Sequence, residues 1–93
     1  MKNNNTILTD VFYQQVAAAV TSAISQLYPI AVYKLPDILR VTDQYDSLWK
    51  DIRNQHMESA IGKRFAKDVR CGAFSPLTFV GFIDGTNIYQ IND

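Results

Sequence analysis

The segment from residue 56 to residue 72 reads HMESAIGKRFAKDVRCG and has the spacing of an amphipathic helix. At about 100° per residue, its large apolar side chains share one side of the helix, and they are Met57, Ile61, Phe65 and Val69. The opposite side is polar and basic, with the members Ser59, Lys63, Lys67 and Arg70, and with Arg64 at its edge. Gly72 stands where a left-handed C-cap belongs. The segment therefore predicts a helix with one buried side and one basic side.

Gly62 lies in the middle of this helix, where glycine costs about 1 kcal/mol relative to alanine. We therefore expect a close backbone contact at Gly62. The two lysines of the basic side are four residues apart, a like-charge spacing that destabilises an isolated helix by roughly a few tenths of a kcal/mol. A surface selected only for stability would more often alternate its charges, so the basic side favours a phosphate-bearing partner.

After this helix the sequence changes to the pattern of a β-hairpin. Two runs rich in β-branched and aromatic residues, 78–83 and 87–91, flank the sequence DGTN. Asp-Gly is typical of a hairpin turn, because glycine accepts the positive φ that the turn requires. Apolar residues occupy both faces of the run TFVGFI, which indicates that another element covers the second face. The N-terminal helix and a second subunit are the two candidates for that element.

The N-terminal part predicts a long helix over residues 9–28, preceded by a frayed segment, 1–8. Thr9 or Asp10 can cap the helix, and Pro29 disfavours its continuation. One side of the helix carries an apolar stripe at three- and four-residue spacing, which contains Phe12, Val16, Ala19, Val20 and Ala23. Its small side chains permit close approach of another helix, so we expect a homodimer interface here. Packing of the stripe on the protein's own core is the more common alternative.

Shorter elements fill the middle of the chain. The run IAVYKL predicts a short strand, and PDILRV and LWKDIRN predict two short helical segments. Pro36 and Asp37 suit the first turn of the earlier segment, because proline needs no N–H there and a carboxylate interacts favourably with the positive end of the helix dipole.

Composition restricts the classes of function. Ninety-three residues make one domain, which we expect to span residues 1–93. Nine Lys and Arg residues balance nine Asp and Glu residues, whereas a dedicated nucleic-acid binder usually has a positive excess. One cysteine and one histidine exclude an internal disulfide and a zinc site built on paired cysteines. No nucleophile, base and oxyanion donor come together in the motifs, so neither an enzyme nor a cofactor is expected.

The chain also lacks the patterns of membrane proteins. The first ten residues contain no apolar signal-peptide core, and no apolar run approaches membrane-spanning length. We therefore expect a cytoplasmic protein with no membrane partner.

A helix, a short strand, two helices and a hairpin follow one another in the order of a winged helix-turn-helix domain. Over residues 30–91 the chain resembles small uncharacterised winged helix-turn-helix proteins that carry a Gly-[Lys/Arg]-x-Phe-x-x-x-Val helix before a hairpin ending in Tyr. The matching positions are Gly62, Lys63, Phe65, Val69 and Tyr89. The resemblance implies an α+β fold of winged-helix type, with the long N-terminal helix as an addition.

The resemblance also implies a function. In winged-helix proteins that bind DNA, the third helix lies in the major groove and the hairpin contacts the backbone or the minor groove. Carried over to this chain, it predicts a DNA-binding face made of Ser59, Lys63, Arg64, Lys67 and Arg70. It suggests a small dimeric regulator or accessory factor from a phage or mobile element. The turn DGTN has no cation, however, so the alternative is a protein–protein interaction module that uses the N-terminal helix or the apolar hairpin face.

Overall fold

A computed structural model describes residues 3–92 as an α+β fold. The helices are α1 (Asn3–Ala23), α2 (Leu35–Arg40), α3 (Lys50–Asn54) and α4 (Glu58–Arg70). The strands are β1 (Val32–Tyr33), β2 (Leu77–Ile83) and β3 (Thr86–Ile91). A 3-10 helix, Ile24–Gln26, continues α1, and a π-helical turn, Tyr45–Trp49, leads directly into α3. Within residues 3–92, no helix combines the length and the apolar character needed to cross a membrane.

The three strands form one antiparallel sheet in the order β1-β3-β2. The predicted hairpin is confirmed, and its two-residue turn consists of Asp84 and Gly85, with φ angles of 53° and 76°. A turn with positive φ at both positions matches the right-handed twist of the flanking strands, which explains the Asp-Gly pair.

A β-bulge interrupts the pairing of β2 and β3 between Phe79 and Gly81. Phe79 pairs with Tyr89, and after the bulge Phe82 pairs with Asn87. Residues 87 and 89 lie two apart on β3 and so point to the same face of the sheet. The bulge therefore returns Phe82 to the face of Phe79, whereas strict alternation from Phe79 would have placed Gly81 there.

The core lies between the helices and this face of the sheet. Phe65 of α4 is fully buried, with its ring centre 4.9 Å from that of Tyr89 and 5.1 Å from that of Phe74. All four members of the predicted apolar side of α4 are buried, which confirms that part of the sequence interpretation. Aromatic packing of this kind fixes α4 against the hairpin.

The first helix begins earlier than predicted. α1 starts at Asn3, so Thr9 and Asp10 lie inside the helix and do not cap it. The helix thus includes residues 3–8 of the segment expected to fray, and residues 1 and 2 lie outside the described residues. Leu8 packs against the core, which gives the first turns of α1 an apolar anchor that the polar start of the sequence does not suggest.

The apolar stripe of α1 packs on the protein's own core. Val16, Val20 and Ala23 have no exposed surface, Ala19 is buried, and Phe12 is half-buried against the same cluster. The small side chains bring α1 close to α2 and α4. The alternative arrangement therefore describes these residues, and among them Phe12 alone keeps part of its surface free. A homodimer formed through another surface stays a prediction.

Candidate nucleic-acid interface

A three-residue turn, 55–57, connects α3 to α4 and sets where the helix begins. His56 in this turn has a φ of 56°, which is uncommon for a residue other than glycine. The backbone N–H of Met57 donates to the carbonyl of Ile52 at 3.0 Å, and the Met57 side chain is buried. These contacts fix the N-terminal end of α4 relative to α3.

The predicted basic side of α4 is at the surface. All four of its members are exposed, namely Ser59, Lys63, Lys67 and Arg70. The ion pairs found within residues 7–92 are Arg40 with Asp37 and Arg64 with Asp10, so neither involves these side chains. Lys63 and Arg70, the outermost of the three cations, are seven positions apart, or about 10 Å along the helix axis. They can therefore meet several phosphates of one strand.

Arg70 has one additional contact. Its guanidinium carbon lies 5.1 Å from the centre of the Phe79 ring. A cation–π contact of this kind holds the side chain over the hairpin and leaves its charge uncompensated. Arg70 therefore remains available to an anion at the C-terminal end of α4.

Arg64 differs from the other predicted site residues, because it belongs to a polar cluster that joins α4 to α1. It forms an ion pair with Asp10 and lies 4.3 Å from the centre of the Tyr13 ring. A hydrogen bond to Asp10 raises the pKa of Arg64. The Tyr13 hydroxyl donates to Oδ2 of Asp68 at 2.5 Å. We call these four residues the α1–α4 cluster, and we remove Arg64 from the candidate phosphate contacts.

Burial and the bond to Asp68 raise the pKa of Tyr13 well above its usual range. Both causes favour the protonated hydroxyl, since a charged phenolate would be desolvated next to a carboxylate. The neutral Tyr13 hydroxyl thus donates to the Asp68 carboxyl group between α1 and α4, the two longest helices.

On its other flank, α4 borders a groove that opens toward the hairpin. This α4–hairpin groove has a volume of about 580 Å³. Residues from α2, α4 and the hairpin line it together with Trp49, and they include Lys34, Glu58, Gly62, Lys63, Phe82, Asn87 and Tyr89. No sequence motif indicates this site, because its walls come from segments up to 55 residues apart, Lys34 and Tyr89.

Gly62 forms an open part of the groove wall. A Cβ atom added at Gly62 would meet no other atom within 4 Å. The close backbone contact expected at this position is therefore wrong. The helix carries the unfavourable glycine without any packing reason inside the protein.

Tyr89 also lines the groove and is only 1% exposed. Burial raises the pKa of Tyr89 to about 12, while Arg70 and Asn87 oppose the rise. Although Asn87 lies close enough to affect this pKa, the Tyr89 hydroxyl has no hydrogen-bond partner of normal geometry. An unsatisfied buried hydroxyl is destabilising by about 1–3 kcal/mol.

The face of the sheet that points away from the helices is apolar and open. Val32, Val80 and Ile83 are each about half exposed. The N-terminal helix does not cover this face, and its cover by a second subunit stays a prediction.

Comparison with known proteins identifies no relative of the chain. No family model, no curated protein and no solved structure matches the chain.

Proposed function

We propose that the protein binds duplex DNA through the exposed basic side of α4. The observation that carries this proposal is the placement of Lys63, Lys67 and Arg70 on one open side of one helix, without a carboxylate partner in residues 7–92. Such a row of like charges opposes helix stability in the free protein. Against DNA, the same row neutralises phosphates and releases condensed counterions, which is a strong source of affinity.

The order of the elements supports a winged helix-turn-helix arrangement. The first strand pairs with the last, α4 directly precedes the hairpin, and a three-residue turn joins α3 to α4. In domains of this type, the helix before the hairpin enters the major groove. Three helices, α2, α3 and α4, lie between β1 and β2 in residues 3–92. The winged helix-turn-helix order has two helices at this place, so α2 is an addition.

In the proposed complex, the two lysines and Arg70 neutralise phosphates, and Ser59 and Lys63 lie nearest the base edges. The hairpin turn contributes less, since Asp84 is exposed at its tip and repels phosphate. Arg64 stays with Asp10 and Tyr13, where it holds α4 in position.

The test is fluorescence anisotropy of a labelled random duplex, titrated with the protein at low and at moderate salt. Lys63→Ala/Lys67→Ala should bind more weakly and should reduce the slope of log K against log[salt] by about two, because two phosphate contacts are lost. The matched control is Lys50→Ala/Arg53→Ala, which removes the same charge from exposed positions on α3. Equal weakening in both variants would place the binding elsewhere than α4.

The apolar outer face of the sheet favours protein–protein contact as the second candidate, because exposed apolar patches mark interaction surfaces. The same titration separates the two candidates. If no duplex binds at low salt, where phosphate attraction is strongest, DNA binding is excluded and the sheet face becomes the surface to study.

A further inference from the structure

We infer that the α4–hairpin groove receives one unpaired base of a nucleic-acid strand whose phosphates lie on the basic side of α4. The inference rests on the proposed function and extends it from phosphate contact to a defined base site. Four features of the groove support it: an exposed aromatic ring, an open helix wall, a half-buried amide and flanking cations.

The aromatic ring is Phe82, which is 69% exposed although it lies on the inner face of the sheet. The bulge before it turns this large apolar side chain toward the groove and away from the outer face. A ring that is held on a strand and left open on one side is a stacking platform for a base, since every base has a flat π-face.

The open wall is Gly62. Glycine is unfavourable inside a helix, and no neighbouring group approaches this position closely enough to require it. A side chain here would extend into the groove, because Gly62 is one of the lining residues. The glycine therefore leaves room opposite the hairpin for a flat ligand.

The polar group is the Asn87 amide, which is half-buried in the groove wall beside the Tyr89 hydroxyl. A base edge carries hydrogen-bond donors and acceptors that suit an amide, which both donates and accepts. An apolar side chain from a protein partner would fill the same groove but make no hydrogen bond with Asn87. This difference favours a base over a peptide anchor.

The flanking cations are Lys34 and Lys63, which line the groove from the start of α2 and from α4. Lys63 also belongs to the basic side of α4, so a strand that follows that side passes the mouth of the groove. The volume of about 580 Å³ falls within the range of sites that bury small organic groups. Glu58 also lines the groove and repels a phosphate placed beside it.

The single tryptophan provides a local probe, because Trp49 lines the groove. We would titrate the full chain with a short oligothymidylate and with an abasic oligonucleotide of the same phosphate count, following tryptophan fluorescence and anisotropy of a labelled strand. The oligothymidylate should bind about tenfold more tightly than the abasic strand. It alone should change the Trp49 emission.

Phe82→Ala should remove the preference for the oligothymidylate and leave binding of the abasic strand unchanged. Val80→Ala is the matched control, since Val80 is 47% exposed on the other face of the same strand. Both side chains are largely exposed, so circular dichroism should show the wild-type fold in both variants. The Val80→Ala variant should keep the full preference.

The remaining outcomes separate the inference from the proposed function. Equal binding of both strands, without a change in Trp49 emission, would overturn the base site and leave phosphate binding intact. A preference for oligothymidylate that persists in Phe82→Ala would also overturn the groove as its location. Absence of binding to both strands and to the duplex would overturn the proposed function and the inference together.

Discussion

The two flanks of α4 differ in whether their polar groups have partners. On the flank that faces α1, Arg64 pairs with Asp10, and the Tyr13 hydroxyl donates to Asp68. On the flank that faces the hairpin, Lys63 lines an open groove and the buried Tyr89 hydroxyl has no partner. One helix thus has a flank whose bonds are complete and a flank whose bonds are not.

The difference indicates which flank serves stability and which serves recognition. A completed hydrogen bond between helices contributes to folding, whereas an unsatisfied buried group lowers stability. Gly62 belongs to the same pattern, since it weakens the helix on the groove flank without relieving any clash. Departures from local stability that have no internal compensation are expected at functional sites.

Among substitutions on the two flanks, we expect Tyr13→Phe to change the free energy of unfolding most. Loss of the 2.5 Å hydrogen bond to Asp68 should lower the free energy of unfolding by about 1–2 kcal/mol, measured by urea denaturation. The matched control is Tyr28→Phe, which removes a hydroxyl from a side chain that is 72% exposed and should change little. If both variants had the same stability, the α1–α4 cluster would not contribute to folding.

Local patterns in the sequence predicted the parts of the fold that depend on local geometry. The period of the 57–70 segment gave the buried side of α4, and Asp84-Gly85 gave the hairpin turn because positive φ at both positions is a local requirement. The basic side followed from the same period. These features depend on neighbours within about one turn of chain, which the sequence displays directly.

The groove and the α1–α4 cluster depend on distant contacts and did not follow from those patterns. Arg64 lies on the edge of the basic sector by angle, yet its partner Asp10 is 54 residues away. One extra residue at the bulge reverses the face on which Phe82 lies, and no nearby residue signals it. The earlier start of α1 likewise reflects the burial of Leu8 against distant elements.

A smaller effect, of opposite sign, is expected from Gly62→Ala. Because the added methyl group meets no atom within 4 Å, the variant should gain about 1 kcal/mol of unfolding free energy from better helix propensity. The matched control is Gly85→Ala, which also enters open space but has a φ of 76° and should lose stability through backbone strain. Destabilisation by Gly62→Ala would mean that the groove wall is already packed, and the two flanks would no longer differ.

The smallest effect at neutral pH is expected from Tyr89→Phe. Because the Tyr89 hydroxyl has no partner, its removal should change the free energy of unfolding by less than about 0.5 kcal/mol, or raise it. The contrast with Tyr13→Phe is the direct test of the comparison, since both tyrosines are almost fully buried. A loss above about 1 kcal/mol would show that Tyr89 already has a good partner.

At alkaline pH, the wild type and the Tyr89→Phe variant should differ further in stability. The pKa of Tyr89 is about 12 in the folded protein and about 10 in the unfolded chain, so the folded state keeps a proton that the unfolded state releases. The contribution of the protonated Tyr89 hydroxyl to the free energy of unfolding is complete below about pH 10 and decreases as the pH rises toward about 12. Urea denaturation across this range should therefore show that the free energy of unfolding falls less steeply with pH in Tyr89→Phe than in the wild type. Some decline should remain in the variant, because the pKa of Tyr13 is also raised. Identical declines in the two proteins would mean that the Tyr89 hydroxyl is solvated and not buried.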